Sequence, residues 1–92
     1  LRVRVVDLRW LSPLNVEAIA DHAREVGRVL VVDEGRRSGG ISEAIFTAII
    51  EGCDRPIKMR RVVGEDTYIP LGPAADTVLP SVDSIIAAAR AL

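Results

Sequence analysis

Two adjoining stretches decide the fold: R-V-L-V-V at residues 28–32 and D-E-G-R-R-S-G-G at residues 33–40. The first is a short, almost continuous apolar run, which is typical of a strand covered on both faces, as in a parallel sheet. The second is a glycine-rich loop, and a helix is predicted after it from about Ile41 to Glu51, ending near Gly52. A strand, a loop and a helix in this order indicate an α/β fold.

The residues before this stretch predict one more strand and one more helix. V-R-V-V-D-L at residues 3–8 is short and rich in β-branched side chains, as strands are. Asn15 is a suitable N-cap, and apolar residues recur at helical spacing from Val16 to Val26. Gly27 then stands where a helix commonly ends.

The residues after it complete the predicted order of elements. Ile57 to Val63 indicates a third strand, and residues 65–80, with three prolines, indicate an extended surface segment. Ser81 is the N-cap of a last helix. The order β-α-β-α-β-loop-α predicts right-handed crossovers and a three-layer α/β/α fold with a mostly parallel sheet. The chain contains no internal repeat.

Composition excludes several classes of protein. Twelve Lys and Arg balance 13 Asp and Glu, so the net charge of −1 argues against a strongly basic nucleic-acid binder. No apolar run approaches the roughly 18–20 residues that cross a membrane. One cysteine and one histidine exclude an internal disulfide and a Cys/His zinc site. Because the chain begins at Leu1 without a signal peptide, we expect part of a larger cytoplasmic protein.

Arg36 and Arg37 are candidates for a weak anion site. They lie in a glycine-rich loop between a strand and a helix, where phosphate-binding loops occur. The loop matches neither G-x-G-x-x-G nor G-x-x-x-x-G-K-[ST], so a tight turn with two solvated arginines is the simpler interpretation. Asp33 and Glu34 are a carboxylate pair at the strand end, but no third ligand is evident and loop capping is the simpler role.

The second predicted helix is apolar on two faces. One apolar face is expected to enter the core, whereas Phe46 and Ile50 point to nearly the opposite side. In so small a domain this second face is a candidate interface with another domain or subunit, and we expect a homo-oligomer. The alternative is that the long segment after Gly64 folds over these two residues.

Four segments in this order resemble a known family. They are V-V-D-L-R-W-L-S-P-L-N-V-E-A-I (5–19), V-L-V-V-D-E-G-R-R-S-G-G-I-S-E-A-I (29–45), I-K-M-R-R-V-V-G-E-D-T-Y-I-P (57–70) and L-P-S-V-D-S-I-I (79–86). Together they resemble the transketolase C-terminal domain. The D-L-R-x-L-S-P-L segment and the L-P-S before the last helix resemble most the beta subunit, or fused beta half, of thiamine diphosphate-dependent 2-oxo acid dehydrogenases. Asn15 departs from the family's usual Asp, although both residues cap helices.

The resemblance covers essentially the whole chain and implies a role in a larger enzyme. It implies a parent that decarboxylates a 2-oxo acid, such as pyruvate or 2-oxoisovalerate, and passes the acyl group to a lipoyl arm. Thiamine diphosphate and Mg²⁺ are expected in upstream domains, so no catalytic, cofactor-binding or metal residue is assigned to this chain. The family's domain also has a preceding strand and helix, so residues 1–92 are expected to be a partial domain. Transketolase, deoxyxylulose-phosphate synthase and a stand-alone flavodoxin-like binding module are the alternatives.

Glu51 and Asp54 are candidates for docking a partner. A carboxylate in the last turn of a helix is disfavoured by the helix dipole by about 0.3–1 kcal/mol, and Asp54 follows just beyond Gly52. The resemblance implies a basic binding module on the acyltransferase core as the partner. The simpler interpretation is a solvated helix end in which Asp54 pairs with Arg55.

Overall fold

A computed structural model describes all 92 residues and shows three helices around a two-stranded parallel sheet. Its elements are α1 (Val16–Val26), β1 (Arg28–Arg36), α2 (Ile41–Gly52), β2 (Lys58–Gly64), a 3₁₀ helix (Gly72–Thr77) and α3 (Val82–Ala91). The two strands are paired in register from Arg28 with Lys58 to Val32 with Val62. The predicted α/β class with a parallel sheet is therefore confirmed.

The helix ends agree with the capping residues of the sequence. The Asn15 side chain accepts a hydrogen bond from the Ala18 amide at 3.1 Å. Gly27 ends α1 in the left-handed conformation, with φ of 81°, where glycine is strongly favoured. Ser81 and Ser84 form a reciprocal capping box at the start of α3. None of the helices has the length and apolar character needed to span a membrane.

The core lies between the sheet and the first two helices. Its cluster of buried side chains comprises Ile19, Ala23, Val31, Ile45 and Ile49. Helices α1 and α2 pack against each other on one side of the sheet, whereas α3 contacts both strands and neither of the other helices. The arrangement is therefore helix, sheet, helix, in three layers. Only 10 of the 92 residues are buried, so the core is small.

The predicted strand over residues 3–8 is wrong. These residues run without a strand partner, and Val5 is 87% exposed. Two side-chain hydrogen bonds from Arg4 to Glu25, at 2.8 and 2.9 Å, attach the segment to α1. A strand forms only where a neighbouring backbone accepts its hydrogen bonds, and no strand lies next to this segment. A groove of about 490 Å³ lies between it and β1.

The segment over residues 65–80 is less extended than the prolines indicate. It contains the 3₁₀ helix, and the Glu65 amide donates to the Val78 carbonyl at 3.0 Å. This hydrogen bond brings the two ends of the segment together. The segment therefore forms a closed loop at the carboxyl end of β2.

Candidate functional site

An anionic group does lie at the glycine-rich loop, and it is the chain's own Asp66. The Ser38 amide donates to Asp66 Oδ1 at 2.8 Å, and the Ser38 hydroxyl donates to Asp66 Oδ2 at 2.5 Å. Ser38 follows β1 and Asp66 follows β2, so both lie at the carboxyl end of the parallel sheet, where α/β folds commonly bind ligands. The loop's anion-binding groups are therefore used within the chain.

The side chains of Arg36 and Arg37 are both exposed, and their positive charges act on this contact. The hydrogen bond from the Ser38 hydroxyl, followed by that from the Ser38 amide, holds the pKa of the Asp66 carboxyl below its ordinary value. The positive charges of Arg36 and Arg37 lower the pKa in the same direction. The positive charges of the two arginines thus stabilise a carboxylate of the chain itself.

A third arginine, which sequence reasoning missed, supports the same loop from beneath. The Arg61 guanidinium donates to the Arg37 carbonyl at 2.6 Å and to the hydroxyl of the fully buried Ser42 at 3.1 Å. It also lies 3.8 Å from the Glu43 carboxylate. The only sign in the sequence is an arginine on a strand that is otherwise largely apolar at its carboxyl end.

Replacing Asp66 with asparagine is expected to lower thermal stability at neutral pH. The folded-state pKa of Asp66 is depressed, so its stabilising contribution is complete above the unfolded value of about 3.8 and is lost as the pH falls through the folded value. The difference in melting temperature between the parent chain and Asp66→Asn should therefore be largest near neutrality and shrink in acid. Melting curves recorded by circular dichroism across this pH range measure it.

Asp76→Asn is the matched control, because Asp76 is an exposed aspartate in the same loop. It should leave the melting temperature almost unchanged at every pH. Glu25, whose pKa is lowered by its hydrogen bond to Arg4, titrates in both proteins and cancels from the difference. A melting-temperature difference that grows in acid would contradict the account of Asp66.

The remaining polar candidates do not converge on a metal. Asp33 is half-buried and Glu34 is exposed at the end of β1. No group of three or more His, Cys, Asp or Glu side chains is placed to hold a metal ion. His22 lies on α1 with its Nδ1 atom 3.3 Å from the Arg4 guanidinium, and the half-buried Cys53 thiol donates to the Ala20 carbonyl at 3.6 Å.

The residues present do not fit a diphosphate–Mg²⁺ group. The glycine-rich loop uses its Ser38 amide and hydroxyl on Asp66. A diphosphate there would meet a carboxylate of its own charge, and the carboxylates of the chain form no set that could hold Mg²⁺.

The two interface candidates on α2 have different environments. Phe46 is half-buried and packs against the core cluster, whereas Ile50 is 65% exposed. Ile50 lines a groove of about 360 Å³ together with Cys53, Asp54 and Pro56. The outward apolar surface at this end of α2 is therefore formed mainly by Ile50.

Glu51 and Asp54 are both exposed but line different grooves. Glu51 faces the space between α1 and α2, and Asp54 lies in the groove with Ile50. Neither forms an ion pair with Arg55, whose guanidinium donates instead to the Arg24 carbonyl at the end of α1. The local Asp54–Arg55 pair considered from the sequence is therefore absent.

The chain's last residue lies at the same end of the sheet as Asp54. The Arg28 guanidinium, at the start of β1, donates to the Leu92 carbonyl oxygen at 3.1 Å. Lys58, which pairs with Arg28 at the start of β2, follows the turn that contains Asp54. The amino end of the sheet thus carries one acidic residue, Asp54, and two basic residues, Arg28 and Lys58.

A groove lined mainly by apolar residues lies beside β1, and we call it the β1-edge groove. Consecutive residues 28–33 of β1 line one wall, and Val6, Leu8 and Leu11 line the other. The edge of β1 that faces it is unpaired, because β1 pairs only with β2. An unpaired strand edge next to apolar side chains is suited to receive another strand.

Comparison with known proteins identifies relatives over the whole chain. Residues 1–85 match the family described as Transketolase, C-terminal domain. The pyruvate dehydrogenase E1 component subunit beta of Staphylococcus aureus is 33% identical over 92 residues, which cover 96% of this chain and 28% of that protein. The 2-oxoisovalerate dehydrogenase subunit beta of Bacillus subtilis is 38% identical over 100 residues, covering 100% of this chain and 29% of that protein. The chain thus spans under a third of the length of these relatives.

Proposed function

Because the chain belongs to the transketolase C-terminal domain family, we propose that it is the C-terminal structural and interaction region of a 2-oxo acid dehydrogenase. The observation that carries this proposal is similarity to two such beta subunits across at least 96% of the chain. The parent enzyme would oxidatively decarboxylate a 2-oxo acid and transfer the acyl group to a lipoyl group. Its substrate would be of the pyruvate or branched-chain type.

In this proposal residues 1–92 are part of a domain that a further strand completes. The support is physical: β1 has an unpaired edge, the β1-edge groove is apolar, and residues 3–8 lie beyond it without a strand partner. A strand placed in the groove would supply hydrogen-bond partners to β1 on one side and to residues 3–8 on the other. The exposed valines of residues 3–8 would then become part of a continuous sheet.

The contribution of this chain is to assembly, and the cofactors belong elsewhere in the parent. Thiamine diphosphate and Mg²⁺ would be held by other domains, since the residues here do not fit them. Ile50, with Phe46 beneath it, is proposed to contact another subunit or domain. Fully burying an isoleucine side chain contributes about 1.5–3 kcal/mol, which would add to the stability of such a contact.

Glu51 and Asp54 are proposed to help dock the acyltransferase core through its basic binding module. Exposed charges at the rim of an interface act mainly on the association rate and its salt dependence. In the parent enzyme, Glu51→Lys with Asp54→Lys should slow association with the core roughly two- to thirtyfold, since each exposed ion pair contributes about 0.2–1 kcal/mol. The salt dependence should weaken as well. Surface plasmon resonance at several salt concentrations measures both quantities.

The matched control reverses two exposed acids that lie away from these grooves, Asp76→Lys with Asp83→Lys. It changes the net charge equally and should alter the association rate much less. If the Glu51 and Asp54 reversals leave rate and salt slope unchanged, or if the control has the same effect, these residues do not form the docking site. Testing each single variant separates the two grooves.

A further inference from the structure

Residues 3–8, which we call the strap, have the composition of a strand and lie beside an unpaired strand without joining it. Val5 of the strap is 87% exposed. The Trp10 amide donates to the Leu8 carbonyl at 2.6 Å, and this is the only backbone–backbone hydrogen bond that any residue of the strap makes. The other backbone donors and acceptors of the strap are therefore available for pairing.

The strap runs in the same direction as β1. Arg4 contacts Glu25 at the end of α1, next to the start of β1, whereas the later residue Leu8 packs against the core cluster. Parallel strands need a crossover connection of about a dozen residues or more, and residues 9–27, which include α1, provide it. The strap is therefore oriented and connected as a parallel neighbour of β1.

The topology also permits this pairing. β2 occupies one edge of β1, and the strap faces the other edge across the β1-edge groove. α1 and α2 pack on the same side of the sheet, so the connection from the strap to β1 has the same hand as the connection from β1 to β2. Crossovers of one hand between neighbouring parallel strands are the rule in α/β folds.

A single exposed ion pair holds the strap away from β1. The Arg4 guanidinium donates to the two carboxylate oxygens of Glu25 at 2.8 and 2.9 Å, and its Nη1 atom lies 3.3 Å from His22 Nδ1. No other ion pair joins the strap to a helix or strand. The Arg4 and Glu25 side chains are 41% and 65% exposed, and ion pairs this exposed stabilise a structure only weakly.

Closing the groove would satisfy groups on both of its walls. The unpaired edge of β1 and the unpaired backbone of the strap would become hydrogen-bond partners. The apolar side chains of Val6 and Leu8, which line the groove, would move against β1 and away from water. The sheet would also grow from two strands to three, and small sheets gain independent stability at that size.

We propose that the strap closes the β1-edge groove by pairing in parallel with β1 when no other strand occupies the groove. The Arg4–Glu25 ion pair is the latch that holds the open position. The inference concerns residues 1–92 by themselves and does not rest on the proposed function, in which a further strand of the parent would keep the strap open. Closure would protect the edge of β1 from pairing with other chains.

Relaxation dispersion on the ¹⁵N-labelled chain tests this proposal, since it detects exchange between two positions on the microsecond-to-millisecond scale. Exchange is expected at the amides of residues 3–8 and 28–33 and not in α3. Arg4→Ala breaks the latch and should raise the ratio of closed to open strap roughly two- to fivefold. Nuclear Overhauser contacts between the strap and β1 should strengthen in the same variant.

Arg2→Ala is the matched control, because Arg2 is an exposed arginine beside the strap that forms no ion pair. It should leave the ratio almost unchanged. Val5→Pro with Val6→Pro removes two adjacent backbone donors and should abolish the exchange, since proline cannot donate to a neighbouring strand. Undisturbed signals of Ile45 and Ile49 in the core establish that each variant folds.

Three results would overturn the proposal. The first is a strap that shows neither exchange nor contacts with β1 in the unmodified chain. The second is an equal effect of Arg4→Ala and Arg2→Ala. The third is exchange that persists in the double-proline variant.

Discussion

Replacing Ile49 with alanine is expected to destabilise the chain by about 2–5 kcal/mol. Ile49 is 1% exposed and belongs to the buried cluster that joins α1, α2 and β1. The substitution removes apolar contacts and leaves a cavity that the neighbouring side chains fill only in part. Small domains have total stabilities of about 5–15 kcal/mol, so this is a large fraction of the whole. Urea unfolding followed by circular dichroism measures the loss.

The adjacent residue is the matched control, since it has the same side chain in the same helix. Ile50 is 65% exposed, and Ile50→Ala should change the free energy of unfolding by no more than about 0.5 kcal/mol. If Ile49→Ala does not fold, Ile49→Val provides the same test with an expected loss of about 0.5–1.5 kcal/mol. Equal losses at positions 49 and 50 would show that α2 is not oriented as described.

Replacing Gly40 with alanine is expected to cost about 1–3 kcal/mol through steric conflict. Gly40 has extended backbone angles that any residue adopts, so conformational freedom is not the reason for glycine here. An added Cβ would lie 2.5 Å from the Arg36 carbonyl oxygen, which belongs to the backbone and cannot rotate away. The loop would have to open, and the Ser38–Asp66 contact would open with it. Thermal and urea unfolding measure the cost.

Gly35→Ala is the control, because its added Cβ would meet only the carboxylate tip of Asp33. That side chain can rotate, and the loss of glycine flexibility in the unfolded chain even favours the folded state. The expected change in stability is close to zero. A large loss for Gly35→Ala, or none for Gly40→Ala, would contradict the described path of the loop.

The elements that depend on local sequence were predictable. Helix α1 begins at the predicted cap and ends at Gly27, because capping and helical spacing act over a few residues. Strands β1 and β2 were predictable in position because each contains a short, apolar or β-branched run flanked by turns. Their parallel pairing follows from the helix that connects them. The predicted end of β1 was wrong, since the strand continues to Arg36 through residues that were assigned to the loop.

Residues 3–8 were not predictable, because a strand needs a neighbour that the local sequence does not report. The same β-branched residues that favour a strand run here without a partner, attached through Arg4 to Glu25. The observed position of Phe46 differs from the predicted one for a related reason. Helical spacing placed it opposite the core, whereas its large ring reaches the edge of the cluster and is half-buried there.

The candidate site was predicted only in outline. The glycine-rich loop indicated a place for an anion, but the group that occupies it lies 28 residues away in sequence. Only the parallel pairing of β1 with β2 brings Ser38 and Asp66 together at the carboxyl end of the sheet. The same pairing places Arg61 beneath the loop, so both residues depend on tertiary structure.

The most direct test of the proposed function is the activity of the purified parent polypeptide, together with any partner subunit that co-purifies. With thiamine diphosphate and Mg²⁺, it should decarboxylate pyruvate or a branched-chain 2-oxo acid and should not transfer two-carbon units between sugar phosphates. Removing residues 1–92 should abolish assembly of the active enzyme. Turnover of sugar phosphates without 2-oxo acid decarboxylation would instead place the chain in a transketolase-like enzyme and contradict the account.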